Sequence, residues 1–163
     1  MKTPNPKLSQ YISQFAVMYD GHPWFGDSIC QILESVTPAK AYWQPTKDAH
    51  SIAQITSHMI YWRLALIKRL EGDLEYKASM KSDDNWKSNE SLKKAGWKSL
   101  TASLDKSQSQ LLLLLSSQRD ALLKKKYSEK ATYHDLINGI LQHDLYHTGQ
   151  IAYLKSIYHL NKK

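Results

Sequence analysis

The chain has 163 residues, enough to bury a substantial apolar core, and we predict one domain over residues 1–163. Its longest aliphatic run, Leu111–Leu115, is too short to span a membrane, and its single cysteine, Cys30, excludes an intramolecular disulfide framework. The formal net charge is +7, but the basic run 124–126 lacks interleaved aromatic residues, so we expect no nucleic-acid partner. A reducing compartment suits such a chain, and we expect a cytoplasmic protein.

The first predicted helix has an apolar stripe over residues 8–19. Gly21-His22-Pro23 then interrupts the stripe, because proline cannot continue the helical hydrogen bonds. We therefore predict a broken first helix, whose second piece resumes near Trp24 and ends before Pro38. His22 and Trp24 lie in the break and are candidates for a pocket wall.

The second predicted helix begins at Ser51, which forms an S-x-x-Q capping box with Gln54, and continues to Leu70. Its apolar stripe contains His58, where an aliphatic residue is expected. The next stretch, 73–90, is polar and predicts a long loop. Trp86 lies in this loop, and the sequence leaves open whether its side chain covers a pocket or contacts a partner.

A third helix is predicted over residues 91–116, although residues 107–110 are poorly apolar and either face solvent or line a polar interior. Thr132 and Asp135 form a second capping box, which opens a last helix over residues 133–158. Because glycine and proline are scarce and every long element is helical, we predict an all-α four-helix bundle.

The last predicted helix carries the clearest chemical signal. His143 and His147 are four residues apart on its apolar stripe, so both imidazoles lie on one face and can reach one metal ion. Since bundle cores often build metal sites from facing helices, His58 is the expected third ligand. Three histidines without a fourth protein ligand leave a coordination position for water or substrate, which is typical of a catalytic site.

These motifs resemble the DinB/YfiT-like superfamily of metal-dependent four-helix-bundle proteins. The resemblance covers nearly the whole chain and rests on residues 21–24, on 50–54 with His58, and on 143–151. In that family, a histidine of the second helix and an H-x-x-x-H pair of the fourth helix bind a divalent metal. Matched residue by residue, the resemblance implies His58, His143 and His147, and it also implies a homodimer.

The resemblance leaves the reaction open. Relatives include bacillithiol-using thiol S-transferases and a mycothiol-dependent isomerase, while other members are called metal-dependent hydrolases or stress-inducible proteins without an assigned reaction. The sequence shows no inward aspartate or glutamate beside the three histidines, which favours metal-activated thiol transfer in stress or detoxification over hydrolysis. A non-catalytic binding protein is the third alternative.

Two further expectations concern the residues around the metal and the identity of the metal. Tyr61 and Gln150 lie one helical turn beyond His58 and His147, where they can orient the ligands or a substrate. Three imidazoles suit zinc and nickel best and also accept iron(II).

Overall fold

The computed structural model describes residues 5–73 and 75–160, without the side chains of residues 159 and 160. Within these ranges the chain forms seven α-helices, one 3₁₀ helix at Asp120–Lys124 and no β-strand. The all-α prediction is therefore confirmed. The α-helices are α1 Pro6–Asp20, α2 Ile29–Glu34, α3 Pro38–Ala41, α4 Ile52–Leu70, α5 Asn89–Ala95, α6 Trp97–Ser116 and α7 Tyr133–Leu160.

The four long helices pack in a ring. Helix α4 contacts α6 and α7, and α1 contacts the same two helices from the other side. Each long helix contributes fully buried residues to the shared core, for example Phe15, Met59, Leu111 and Ile137. None of the described helices combines the length and apolar character that a membrane span requires.

The start of α4 is fixed by the capping box that the sequence predicts. The Ser51 hydroxyl accepts a hydrogen bond from the Gln54 backbone N–H at 3.1 Å, and Gln54 Oε1 accepts one from the Ser51 N–H at 3.1 Å. The Ser51 hydroxyl also donates to Asn89 Oδ1 at 2.7 Å. This one serine therefore sets where α4 begins and joins it to the first turn of α5.

Two helix boundaries differ from the sequence-based expectation. The predicted third helix is divided at Gly96, whose φ of 88° is the left-handed conformation that glycine adopts readily. The second piece of the first helix begins at Ile29 instead of near Trp24, because Ser28 caps it with a capping box completed by Gln31.

The poorly apolar part of α6 lines a polar interior at Ser107 and Gln108, whereas Ser109 is exposed. Ser107 and Gln108 are both buried, and the Gln108 side-chain amide donates to the backbone carbonyl of Phe15 at 3.1 Å. The Ser107 hydroxyl faces Arg63 of α4, whose Nη1 lies 3.4 Å away. The bundle core is therefore polar on the side where α4, α6 and α7 meet.

Replacing the α4 cap tests its contribution to stability. We expect Ser51→Ala to lower the free energy of unfolding by about 1–2 kcal/mol, because it removes a cap whose hydroxyl is buried and doubly bonded. Urea unfolding followed by circular dichroism gives the value. Ser109→Ala, an exposed change inside α6, is the control and should shift stability by less than about 0.5 kcal/mol. Equal losses of unfolding free energy in both variants would contradict the role of Ser51 as the cap of α4.

Candidate metal centre

Three histidine rings from α4 and α7 converge on one point. His143 Nε2 lies 3.0 Å from His58 Nε2 and 3.1 Å from His147 Nε2. The three ligand atoms all lie within 4.8 Å of one another. His58 and His147 are buried, whereas His143 is half-buried and borders the cleft beside them. The structure thus brings together the three residues that the sequence singles out as metal ligands.

The hydrogen bonds of two rings fix which nitrogen points at the common centre. His58 Nδ1 donates to the backbone carbonyl of Asn85 at 2.9 Å, and His147 Nδ1 donates to Gln150 Oε1 at 2.6 Å. The Gln150 amide nitrogen in turn donates to the Tyr146 hydroxyl at 3.0 Å. Since both acceptors are oxygens without a proton, each ring carries its hydrogen on Nδ1 and directs the Nε2 lone pair inward.

This arrangement of lone pairs fits a metal ion. Two Nε2 atoms about 3 Å apart need either a ring hydrogen or a cation between them, and the Nδ1–H tautomers of His58 and His147 leave both of their Nε2 lone pairs available to a cation. For tetrahedral coordination at about 2.0–2.1 Å, neighbouring ligand nitrogens are about 3.3 Å apart, close to the two short spacings in this protein. The donor set of three neutral imidazoles suits zinc, nickel and iron(II), so His58, His143 and His147 could hold any of these ions.

Burial keeps two of the rings unprotonated. It lowers the pKa of His147 from its ordinary 6.5 to about 4, against the opposing effect of the hydrogen bond to Gln150. It also lowers the pKa of His58, despite the hydrogen bond to Asn85. Both rings are therefore neutral near pH 7, which is the form that binds metals.

The loop between α4 and α5 holds His58 through contacts with Asn85 and Trp86. The Trp86 ring stacks on His58 with centroids 3.8 Å apart, and His50 stacks on the other face of Trp86 at 3.7 Å. Asn85 is buried, and its side-chain Oδ1 accepts a hydrogen bond from Trp62 Nε1 at 2.9 Å. Trp86 therefore supports a predicted ligand, and Asn85 is a contributor that the sequence analysis missed.

An open cleft of about 490 Å³ leads to the centre. Its wall is largely apolar and aromatic, and the Gly139 backbone forms part of its floor. The lining includes one carboxylate, that of Asp135 in the first turn of α7. The remaining lining residues are the three histidines, Trp62, Met80, Tyr127, Leu136, Ile140 and Tyr146. A small apolar molecule with a metal-binding head group matches this shape.

Three residues that the sequence placed near the pocket lie elsewhere. His22 and Trp24 are exposed and do not line the cleft, and Trp24 borders a separate groove between α1 and α7. The helix break therefore forms a wall of that separate groove and does not border the histidine triad. Tyr61 faces away from the cleft, and its hydroxyl bonds both the N–H and the carbonyl of Ser79, so it anchors the loop that carries Asn85 and Trp86.

A buried carboxylate lies beside the triad. Asp144 has no exposed side-chain surface, and its Oδ2 accepts a hydrogen bond from Arg63 Nε at 2.7 Å. The sequence shows no evident inward acid beside the triad that could serve as a general base, because Asp144 lies beside the apolar stripe through His143 and His147 and not on it. Asp144 nevertheless faces inward, because α7 is enclosed by α4 on one side and by α1 on the other.

Comparison with known families agrees with the motifs. A family model described as the DinB superfamily matches residues 27–151, well over half of the chain, and the match includes all three histidines. The expected resemblance is therefore confirmed. Comparisons with curated proteins and with solved structures found no match.

The contact between His147 and Gln150 can be tested through metal affinity. We expect Gln150→Leu to weaken binding by about 10–100-fold, because His147 loses the acceptor that orients its ring. Competition with a chromophoric chelator measures the dissociation constant. Gln142→Leu, an exposed change on the same helix, should leave it unchanged. Equal affinities of the two variants would show that Gln150 does not orient the ligand.

Proposed function

Because the chain belongs to the DinB superfamily, we propose that it is a divalent-metal-dependent enzyme whose ion is held by His58, His143 and His147. The observation that carries this proposal is the convergence of three Nε2 atoms at the end of an open cleft. Three protein ligands leave at least one coordination position for a small molecule. Zinc and nickel are the favoured ions, and iron(II) also suits the ligands.

The reaction that we propose is the transfer of a low-molecular-weight thiol to an electrophile. A new carbon–sulfur bond forms, the leaving group departs with its electron pair, and the thiol proton passes to water. When bound, the metal ion supplies the positive charge that favours the thiolate, which is the nucleophilic form. Conjugation of this kind removes reactive electrophiles and suits a role in stress or detoxification.

The protein's own residues are arranged for binding more than for proton transfer. The apolar wall formed by Trp62, Leu136 and Ile140 suits the carbon skeleton of an electrophile. Asp144 is fully buried behind the triad and engaged by Arg63, so it cannot reach a substrate in the cleft. A thiol with a lowered pKa needs no such base, and this supports thiol transfer.

Hydrolysis is the second candidate, and one observation favours it. Asp135 lines the same cleft and could act as a general base on water. It precedes His143 by eight residues on α7, which corresponds to about 12 Å along a helix axis. That separation exceeds the reach of a base acting at the metal, so we rank hydrolysis below thiol transfer. A non-catalytic binding protein is the remaining alternative.

A direct assay distinguishes these functions. The native protein is analysed for bound metal, and its metal-free and zinc- or nickel-loaded forms are mixed with bacillithiol or cysteine and 1-chloro-2,4-dinitrobenzene. We expect metal-dependent conjugation, which His58→Ala and His147→Ala reduce to the metal-free background because each removes a ligand. His134→Ala, which alters an exposed ring outside the cleft, should retain full activity.

The outcomes of this assay separate the alternatives. Equal rates in the wild type and in His58→Ala would reject a metal-dependent reaction. Metal-dependent cleavage of p-nitrophenyl acetate without thiol conjugation would favour the hydrolase. Metal binding without either activity would favour the binding protein.

We also propose that the protein forms a homodimer through an exposed apolar face, which consists of Val17, Trp24, Phe25 and Leu145. All four side chains are at least 39% exposed, and they surround a groove of about 280 Å³ between α1, α7 and the chain that follows α1. A second copy would remove this apolar surface from water. The family resemblance implies the same oligomeric state.

A charge on this apolar face tests the dimer. We expect Leu145→Lys to raise the dimer dissociation constant at least about tenfold, because a buried lysine opposes association by more than about 1.4 kcal/mol. Light scattering coupled to size exclusion gives the mass over a concentration series. Leu113→Lys, an equally apolar exposed position on α6, is the control and should leave the dimer intact. A wild-type protein that stays monomeric at every concentration would refute the proposal.

A further inference from the structure

One of the three histidines lacks the support that the other two have. Asn85 and Gln150 accept hydrogen bonds from Nδ1 of His58 and His147. His143 Nδ1 is buried and has no hydrogen-bond partner within the described part of the chain. The nearest carboxylate oxygen is Asp144 Oδ1, at 3.8 Å, and this atom is also buried without a described partner.

The position of Asp144 is set by Arg63. The Arg63 guanidinium is fully buried, donates from Nε to Asp144 Oδ2 at 2.7 Å, and lies 5.4 Å from the centre of the Tyr19 ring. A buried guanidinium requires a counter-charge at close range, and Asp144 is the carboxylate that Arg63 contacts. One carboxylate oxygen is thereby engaged by Arg63, while the other remains available on the side of His143.

We propose that Asp144 is a positioning residue, which accepts a hydrogen bond from His143 Nδ1 when the metal ion is bound, and that Arg63 holds Asp144 in place for this contact. A shift of about 1 Å between the two side chains brings their 3.8 Å separation to hydrogen-bond distance. The carboxylate then fixes the orientation of the ring and makes its Nε2 a stronger donor to the metal. This inference rests on the proposed metal site.

A purely structural role of the ion pair predicts a different outcome. If Arg63 and Asp144 only join α4 to α7, replacing both by an apolar pair of similar size should preserve the fold and the metal affinity of the wild type. Such replacements of buried ion pairs are often neutral or stabilising. If Asp144 orients His143, the same replacement preserves the fold but weakens metal binding.

Cobalt(II) titration distinguishes the two roles. The wild type, Asp144→Asn and the double variant Arg63→Met/Asp144→Leu are titrated, and the visible absorption spectrum reports both the affinity and the geometry at the ion. We expect about 10–100-fold weaker binding and an altered spectrum in the double variant, even where its thermal midpoint equals that of the wild type. The control is Gln108→Leu, a buried polar-to-apolar change whose side chain contacts α1, and it should bind cobalt normally.

A second measurement uses the unmodified protein, so the test does not depend on whether a variant folds. In the zinc-loaded wild type, long-range ¹H–¹⁵N spectra should show a His143 Nδ1 proton that is shifted downfield and protected from exchange. A His143 Nδ1 proton in rapid exchange with water overturns the proposal, and so does a folded double variant with wild-type cobalt affinity and spectrum. A wild type that binds no metal would instead refute the proposed function.

Discussion

The buried ion pair between Arg63 and Asp144 fixes α4 against α7 at the level of the histidine triad. The free energy needed to remove two charges from water is recovered only at close range and in good geometry, so the pair tolerates little sliding between the helices. His58 lies on α4, and His143 and His147 lie on α7. Their Nε2 atoms can meet because the registers of α4 and α7 are fixed beside them.

Two kinds of support surround the triad, and they differ in origin. Gln150 and Asp144 belong to the same helix as the histidines they adjoin, and Arg63 of α4 fixes the carboxylate of Asp144. Asn85 and Trp86 come from the loop after α4, where Tyr61 holds the chain through Ser79. The outer wall of the centre therefore depends on loop conformation, whereas its inner wall is part of the packed bundle. The cleft beside the triad is bordered mainly by α4 and α7, with Met80 and Tyr127 contributed by loops.

Helical periodicity was sufficient to predict the all-α fold, both capping boxes and the histidine triad. It could not predict Asn85, because the acceptor for His58 is a backbone carbonyl, which every residue possesses. It missed Asp144, because a helix surrounded on several sides buries more than one stripe. It also failed at Gly96, where a single left-handed residue divides a continuous apolar pattern, and at His22, which is exposed and lies outside the cleft.

The sequence separation of the ligands has a consequence for biosynthesis. His58 and His143 are 85 residues apart, and no ligand pair on α7 alone completes the centre. In the proposed metal site, full affinity for an ion would require translation past His147 and docking of α7 on α4. Metal insertion at this site would then follow the assembly of the bundle and would not accompany the synthesis of a single helix.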